Sequence, residues 1–185
     1  FHEDYSLPNQ TGAHVAETCV TTTWIQLNLQ LFRLTGDARF GAELERTFYN
    51  HLAAAQRPDG AEWCYFTALE GVKPYGPGIN CCVSSGPRGM ALVPTAAYLR
   101  YHVGTVEGVA VNLLEPGRAT LTLGGEAVTV TQQSPFPSRG GATFHLALAQ
   151  PATFGFRLRP AAWAGPIRLK VNGRSVRADD AKGWL

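Results

Sequence analysis

The spacing of apolar positions changes once along the chain, near residue 104. Before it they recur every three to five residues, and after it they alternate. Residues 13–34 place Val15, Cys19, Trp24, Leu27, Leu31 and Leu34 on the longer repeat and end at Thr35-Gly36-Asp37. That pattern predicts a buried helix with a glycine stop. Residues 38–55 set Phe40, Leu44, Phe48 and Leu52 four apart, a second amphipathic helix closed by the turn Arg57-Pro58-Asp59-Gly60. Residues 61–80 are aromatic and then rich in Gly and Pro, and predict a β-hairpin or a long loop. A third helix is predicted over 86–101, capped by Ser84 or Ser85, with Pro87 in its first turn and a kink at Pro94.

After residue 104 the segments 109–113, 119–123, 127–131, 143–148, 154–158 and 167–171 alternate apolar with polar residues and predict strands. Gly124-Gly125 and Asn172-Gly173 are hairpin turns by composition. Many short alternating strands suggest an antiparallel β-sandwich. The expected architecture is therefore α + β. Residues 1–103 form a helical part, and residues 104–185 a β-sandwich part with no internal repeat.

Composition narrows the function classes. The 185 residues are 45% apolar and 16% charged, with 9 Phe, 6 Tyr and 4 Trp, which supports one domain or two small ones and excludes a disordered chain. The net charge is +2, from 16 basic and 14 acidic residues, and no Lys/Arg block is present. Nucleic acid and membrane surfaces are therefore poor partners. No apolar run approaches the roughly 18 residues of a membrane span. The sequence starts at Phe1 without a signal-like segment and stops at Gly183-Trp184-Leu185. We read it as a piece of a longer protein, which leaves the compartment open between cytoplasmic and exported.

The candidate chemistry lies in Glu17-Thr18-Cys19 and Cys81-Cys82. Four cysteines in all are too few for a disulfide scaffold. Thiolate and carboxylate are zinc ligands, and four ligands complete a tetrahedron. The spacing is not that of a zinc finger. Positions i and i+2 lie about 200° apart around a helix, so Glu17 and Cys19 can share a metal only at a helix start or in extended backbone. Adjacent Cys81 and Cys82 call for similarly irregular backbone. Two other readings stay open: cysteines serving as small core residues, and an oxidised vicinal pair. Cys64, inside Trp63-Cys64-Tyr65-Phe66, reads as core.

Leu7-Pro8-Asn9, Ala16-Glu17-Thr18-Cys19, Tyr49-Asn50-His51-Leu52, Asp59-Gly60 and Cys81-Cys82 together resemble glycoside hydrolase family 127, the β-L-arabinofuranosidases, with relatives in family 146. The order and approximate spacing agree over residues 1–103. Leu158-Arg159-Pro160-Ala161-Ala162-Trp163 and Val171-Asn172-Gly173 resemble the β-sandwich that follows the family's barrel. The resemblance implies the C-terminal part of an (α/α)6 barrel with zinc held by Glu17, Cys19, Cys81 and Cys82. It implies Cys81 as nucleophile, attacking the anomeric carbon to form a thioglycosyl intermediate with retention. The substrate class would be arabinofuranosides of plant or glycoprotein glycans. The family's general acid would fall just before Phe1, and Glu3 reads instead as a solvated carboxylate. The family often continues Cys-Cys-Pro-Pro-Asn, whereas this chain has Cys81-Cys82-Val83-Ser84-Ser85, a departure that points to a divergent branch.

Lesser candidates surround this set. His14 lies three residues before Glu17, and Asn9 follows Pro8; both are candidate sugar contacts. Arg88 is a candidate hydroxyl ligand or a plain solvated cation. Trp63, Tyr65, Phe66 and Tyr75 can form a sugar platform or pack in the core. His51 and His145 read as packing or surface residues. The alternative to an enzyme is a zinc-stapled carbohydrate-binding or structural module, and the β part can carry a homodimer contact. A metal site open to solvent on one face would favour the enzyme.

Overall fold

The computed structural model of the chain describes residues 16–67, 71–76, 81–178 and 180–185. They form an α + β protein in two compact units. One unit holds the described residues up to Gln30 together with Glu43–Val93, and the other holds Leu31–Ala42 and Pro94–Leu185. The helices are α1 (Thr18–Thr35), α2 (Ala38–Thr47), α3 (Ala53–Ala55) and α4 (Cys81–Ala97). A π-helical turn, Phe48–Leu52, connects α2 to α3. None of these helices is long and apolar enough to cross a membrane.

Helix α1 stops where the glycine predicts. Gly36 adopts φ +64° and its amide donates to the Phe32 carbonyl at 2.8 Å, a left-handed cap. Its buried face differs from the predicted one. Thr18, Thr22, Ile25, Leu29 and Phe32 are buried, whereas Trp24, Leu27 and Leu34 are 45%, 48% and 81% exposed. Two apolar stripes run along this helix, and the one interleaved with threonines faces inward. On that face Thr18 Oγ1 donates to the Cys64 carbonyl at 2.8 Å and Thr22 Oγ1 to the Ser85 carbonyl at 2.9 Å. Both hydroxyls are satisfied, so burying them carries little penalty.

Helix α4 begins five residues before the predicted start and ends at Ala97. Ser84 and Ser85 therefore lie inside it, and residues 98–101, expected as its last turn, belong to strand β1 (Tyr98–Val103). Tyr98–Val103 pairs residue for residue with β2 (Val106–Val111) through a turn at Gly104, φ +60°. That ladder outweighs the helical spacing of the segment. The inward face of α4 is built of small residues: Cys82, Ser85, Gly86 and Gly89 are all buried. A Cβ on Gly86 would overlap the Trp63 indole, and one on Gly89 would meet Leu52 and Thr22. Glycine costs a helix about 1 kcal/mol relative to alanine, and close helix approach is what it permits here.

The remaining strands are β3 (Gly117–Leu123), β4 (Glu126–Gln133), β5 (Thr143–Ala147), β6 (Gly155–Leu158), β7 (Leu169–Val171) and β8 (Arg174–Val176). They form three small sheets, ordered β1-β2-β6, β3-β4-β5 and β7-β8. Pairing is antiparallel throughout except between β2 and β6, which run parallel, so the alternating pattern does not translate into a wholly antiparallel structure. Gly124 and Gly125 at φ +60° and +84°, and Asn172 and Gly173 at +50° and +79°, make the two hairpin turns their composition predicts. Val109, Leu123, Val128 and Val130 are fully buried among Tyr98, Phe144 and Phe156. Beside this core Arg159, 3% exposed, donates through Nε to Asn112 Oδ1 at 2.5 Å and through Nη2 to the Asn112 carbonyl at 2.8 Å. Burial lowers its guanidinium to about 10.

Candidate metal centre

The cluster begins with local backbone chemistry. Ala16 takes φ +51°, a left-handed conformation uncommon for a residue with a Cβ. Glu17 follows in an antiparallel bridge with Phe66, and the Thr18 amide donates to the Tyr65 carbonyl at 3.1 Å. Helix α1 starts only at Thr18. Glu17 is thus extended while Cys19 lies in the first helical turn, which meets the geometric condition for an i, i+2 pair to converge. Cys81 and Cys82 satisfy their own condition differently. They are the first two residues of α4, so regular helical backbone presents both, and no irregular segment is needed.

One carboxylate oxygen and three sulfurs meet at this point, all within 4.8 Å of one another. Cys19 Sγ lies 3.4 Å from Cys82 Sγ, Cys81 Sγ 3.9 Å from Cys82 Sγ, and Cys81 Sγ 3.5 Å from Glu17 Oε1. Cys82 Sγ also donates to the Tyr65 carbonyl at 3.3 Å. The set is graded in depth. Cys82 is fully buried, Cys19 is intermediate, and Cys81 is exposed. All four cysteines are free thiols.

Electrostatics follow from the crowding. Burial pushes the Cys82 thiol up to about 12, with hydrogen bonding to Cys19 adding to it. Hydrogen bonding to Cys19, then burial, raises Cys81 above the ordinary thiol range. The Tyr65 phenol is raised first by the Glu17 carboxylate and then by Cys81. The α4 N-terminus favours anions at Cys81 and Cys82 but does not overcome these effects. One carboxylate and three sulfurs with donor atoms this close make a chemically coherent cation site: a divalent ion stabilises all four anions at once.

Among the described residues no second group of this kind occurs. Asn9, His14 and Glu3 lie outside the described residues. Cys64 is fully buried, and its amide donates to the Ala55 carbonyl at 2.8 Å, as a core residue. Of the aromatic candidates, Trp63 is core at 8% exposure, and Tyr75 Oη donates to the Gln56 carbonyl at 3.1 Å. Tyr65 is exposed beside the cluster with Phe66 edge-on to it at 6.2 Å. His145 is exposed. His51 packs in the π-turn, sharing a 2.6 Å hydrogen bond with Thr21 Oγ1. Ser85, a cap candidate by sequence, belongs to the site instead. It is buried, and its Oγ lies 3.1 Å from Cys19 Sγ and 3.2 Å from Arg88 Nη2. Its place four residues after Cys81 marks it as a neighbour of the cluster once the helix is known to start at Cys81.

The same fold occurs in solved glycoside hydrolases. Over 97% of this chain, a GH127 β-L-arabinofuranosidase from Geobacillus stearothermophilus T6 superposes with TM-score 0.81 at 21% identity. A second GH127 structure, a β-arabinofuranosidase, matches the whole chain with TM-score 0.81 at 28% identity, and a glycoside hydrolase matches 97% of it with TM-score 0.77 at 23% identity. The chain spans 30% to 31% of these relatives' length. No curated protein matches the sequence. Residues 1–95 match the β-L-arabinofuranosidase GH127 catalytic domain, and residues 108–185 match the GH127 middle domain. The chain belongs to glycoside hydrolase family 127.

Proposed function

We propose that the whole protein is a retaining glycosidase that releases β-L-arabinofuranose or a related sugar, with Cys81 as nucleophile in a zinc site. The observation that carries this reading is the convergence of Glu17, Cys19, Cys81 and Cys82 with Cys81 at the exposed edge. Four protein donors close a tetrahedron, so a reaction at this site would go through one of the ligands themselves, and Cys81 is the exposed residue of the four.

The donor set suits zinc by type and by size. In a tetrahedron with metal–sulfur bonds of about 2.3 Å and a metal–oxygen bond of about 2.0 Å, sulfurs lie about 3.8 Å apart and sulfur lies about 3.5 Å from oxygen. The separations here are 3.4 Å and 3.9 Å between sulfurs and 3.5 Å from Cys81 to Glu17. Bound there, zinc would hold the three thiols as thiolates at neutral pH.

The chain's own residues would then act as follows. Glu17, Cys19 and Cys82 fix the cluster and leave Cys81 Sγ facing solvent. Cys81 Sγ attacks the anomeric carbon, a carbon–sulfur bond forms, and the glycosidic carbon–oxygen bond breaks. The leaving oxygen takes a proton from a general acid, which the family resemblance places upstream of Phe1. The conjugate base of that acid then takes a proton from water, whose oxygen displaces Cys81 Sγ as thiolate, and two inversions give retention. Holding the sulfur in place before attack removes an orientational cost.

The test is Cys81→Ser in the full-length protein, assayed on an aryl β-L-arabinofuranoside. Hydrolysis falls by several orders of magnitude, and acid-quenched wild-type enzyme carries a pentosyl adduct on the Cys81 peptide by mass spectrometry. Unchanged hydrolysis in the variant refutes the assignment.

A further inference from the structure

From the contacts of Ser85 we infer that this residue, backed by Arg88, is a positioning residue for the Cys19 thiolate; the inference rests on the metal-site reading above. Ser85 is 4% exposed and follows Cys82 by three residues and Cys81 by four, so it shares their face of α4. Its backbone is held as well, because its carbonyl accepts from Thr22 Oγ1 at 2.9 Å. The hydroxyl has two neighbours, Cys19 Sγ at 3.1 Å and Arg88 Nη2 at 3.2 Å.

The direction of these bonds follows from the groups themselves. A guanidinium has donors only, so Arg88 occupies a lone pair of the Ser85 oxygen. As a thiol Cys19 donates to the second lone pair of that oxygen, and as a thiolate it can only accept, so the hydroxyl hydrogen turns to the sulfur. When Cys19 is a thiolate, the chain runs from Arg88 N–H to Ser85 oxygen, and from Ser85 O–H to sulfur. A charge-assisted bond of this kind stabilises the anion and fixes the side chain's direction. It also draws electron density from the sulfur, which tunes its bond to the metal. Partners behind a metal ligand typically change affinity by about 10- to 100-fold when removed. Cys81 makes no such bond to Ser85, so the serine acts on the site through Cys19 alone.

The test uses the full-length protein loaded with cobalt(II), whose thiolate charge-transfer band reports electron density on sulfur. Ser85→Ala moves that band to longer wavelength and weakens cobalt and zinc binding by about 10-fold in chelator competition. Arg88→Met moves both in the same direction by less, and Ser85→Thr, which keeps the hydroxyl, restores the wild-type band. Circular dichroism confirms that each variant is folded. A wild-type band that Ser85→Ala leaves unmoved, with unchanged affinity, overturns the role of Ser85 alone. Absence of any thiolate-to-cobalt band in the wild type overturns the metal site itself and this inference with it.

Discussion

Gly86→Ala tests whether small residues on α4 set the approach of this helix to its neighbours. Two opposed effects decide the outcome. Alanine in a helix interior is favoured over glycine by about 1 kcal/mol. Against this, the new methyl overlaps three atoms of the Trp63 indole, a rigid ring only 8% exposed and with little room to turn. Overpacking of this kind costs about 1 to 3 kcal/mol, and two fused rings absorb displacement poorly. Gly89→Ala is the internal control on the same helix face. Its methyl would come within 2.9 Å of Leu52 Cδ1 and 3.0 Å of Thr22 Oγ1, and the former is the tip of a side chain that can rotate. The gain in propensity then offsets most of the crowding. Urea unfolding followed by far-ultraviolet circular dichroism should show Gly86→Ala destabilised by up to about 2 kcal/mol, the overpacking cost less the propensity gain. Gly89→Ala should lie within about 0.5 kcal/mol of the parent. Equal midpoints for the two variants, or a Gly86→Ala protein more stable than the parent, would refute the packing argument.

Other outcomes follow from single observations. In the metal-free protein Cys82 has its thiol raised to about 12 from 9.0. A group raised on folding stabilises the fold below its unfolded pKa and loses that contribution as pH climbs to the folded value. Stability should therefore fall between about pH 9 and 12 in a chelator-treated sample, and Cys82→Ala should flatten that dependence in pH-resolved urea titrations. Asn112→Ala removes the Oδ1 that Arg159 Nε reaches at 2.5 Å and leaves a 3% exposed guanidinium short of an acceptor. Unfolding measurements should show a loss of about 1–3 kcal/mol.

The parts of this structure that could be read in the sequence are those where local chemistry decides. Gly36 ends α1 because its left-handed cap is a property of glycine, and the Gly124-Gly125 and Asn172-Gly173 turns need positive φ at both positions. Phe48 and Leu52 are buried as their four-residue spacing predicts. The parts that were not legible are decided by partners distant in sequence. Trp24 and Ile25 are apolar neighbours, and the buried face is the one carrying Ile25, on which Thr18 and Thr22 bond residues 64 and 85. The start of α4 is ambiguous in the sequence because Ser84 and Ser85, favoured caps ahead of Pro87, compete with the actual start at Cys81. Residues 98–101 have helical spacing, and it is the strand partner Val106–Val111 that makes them part of β1. For the candidate site, ligand chemistry and family resemblance picked out Glu17, Cys19, Cys81 and Cys82. Ser85 reads as a cap in the sequence because its role at the site depends on a helix register that the sequence alone did not supply.

The central claim is that these four residues hold one metal ion. Elemental analysis of the purified full-length protein, wild type beside Cys81→Ser, tests it most directly. The account predicts close to one zinc per chain in the wild type and a clear reduction in the variant. A wild-type protein that carries no zinc, and takes none up on dialysis against it, would contradict the account.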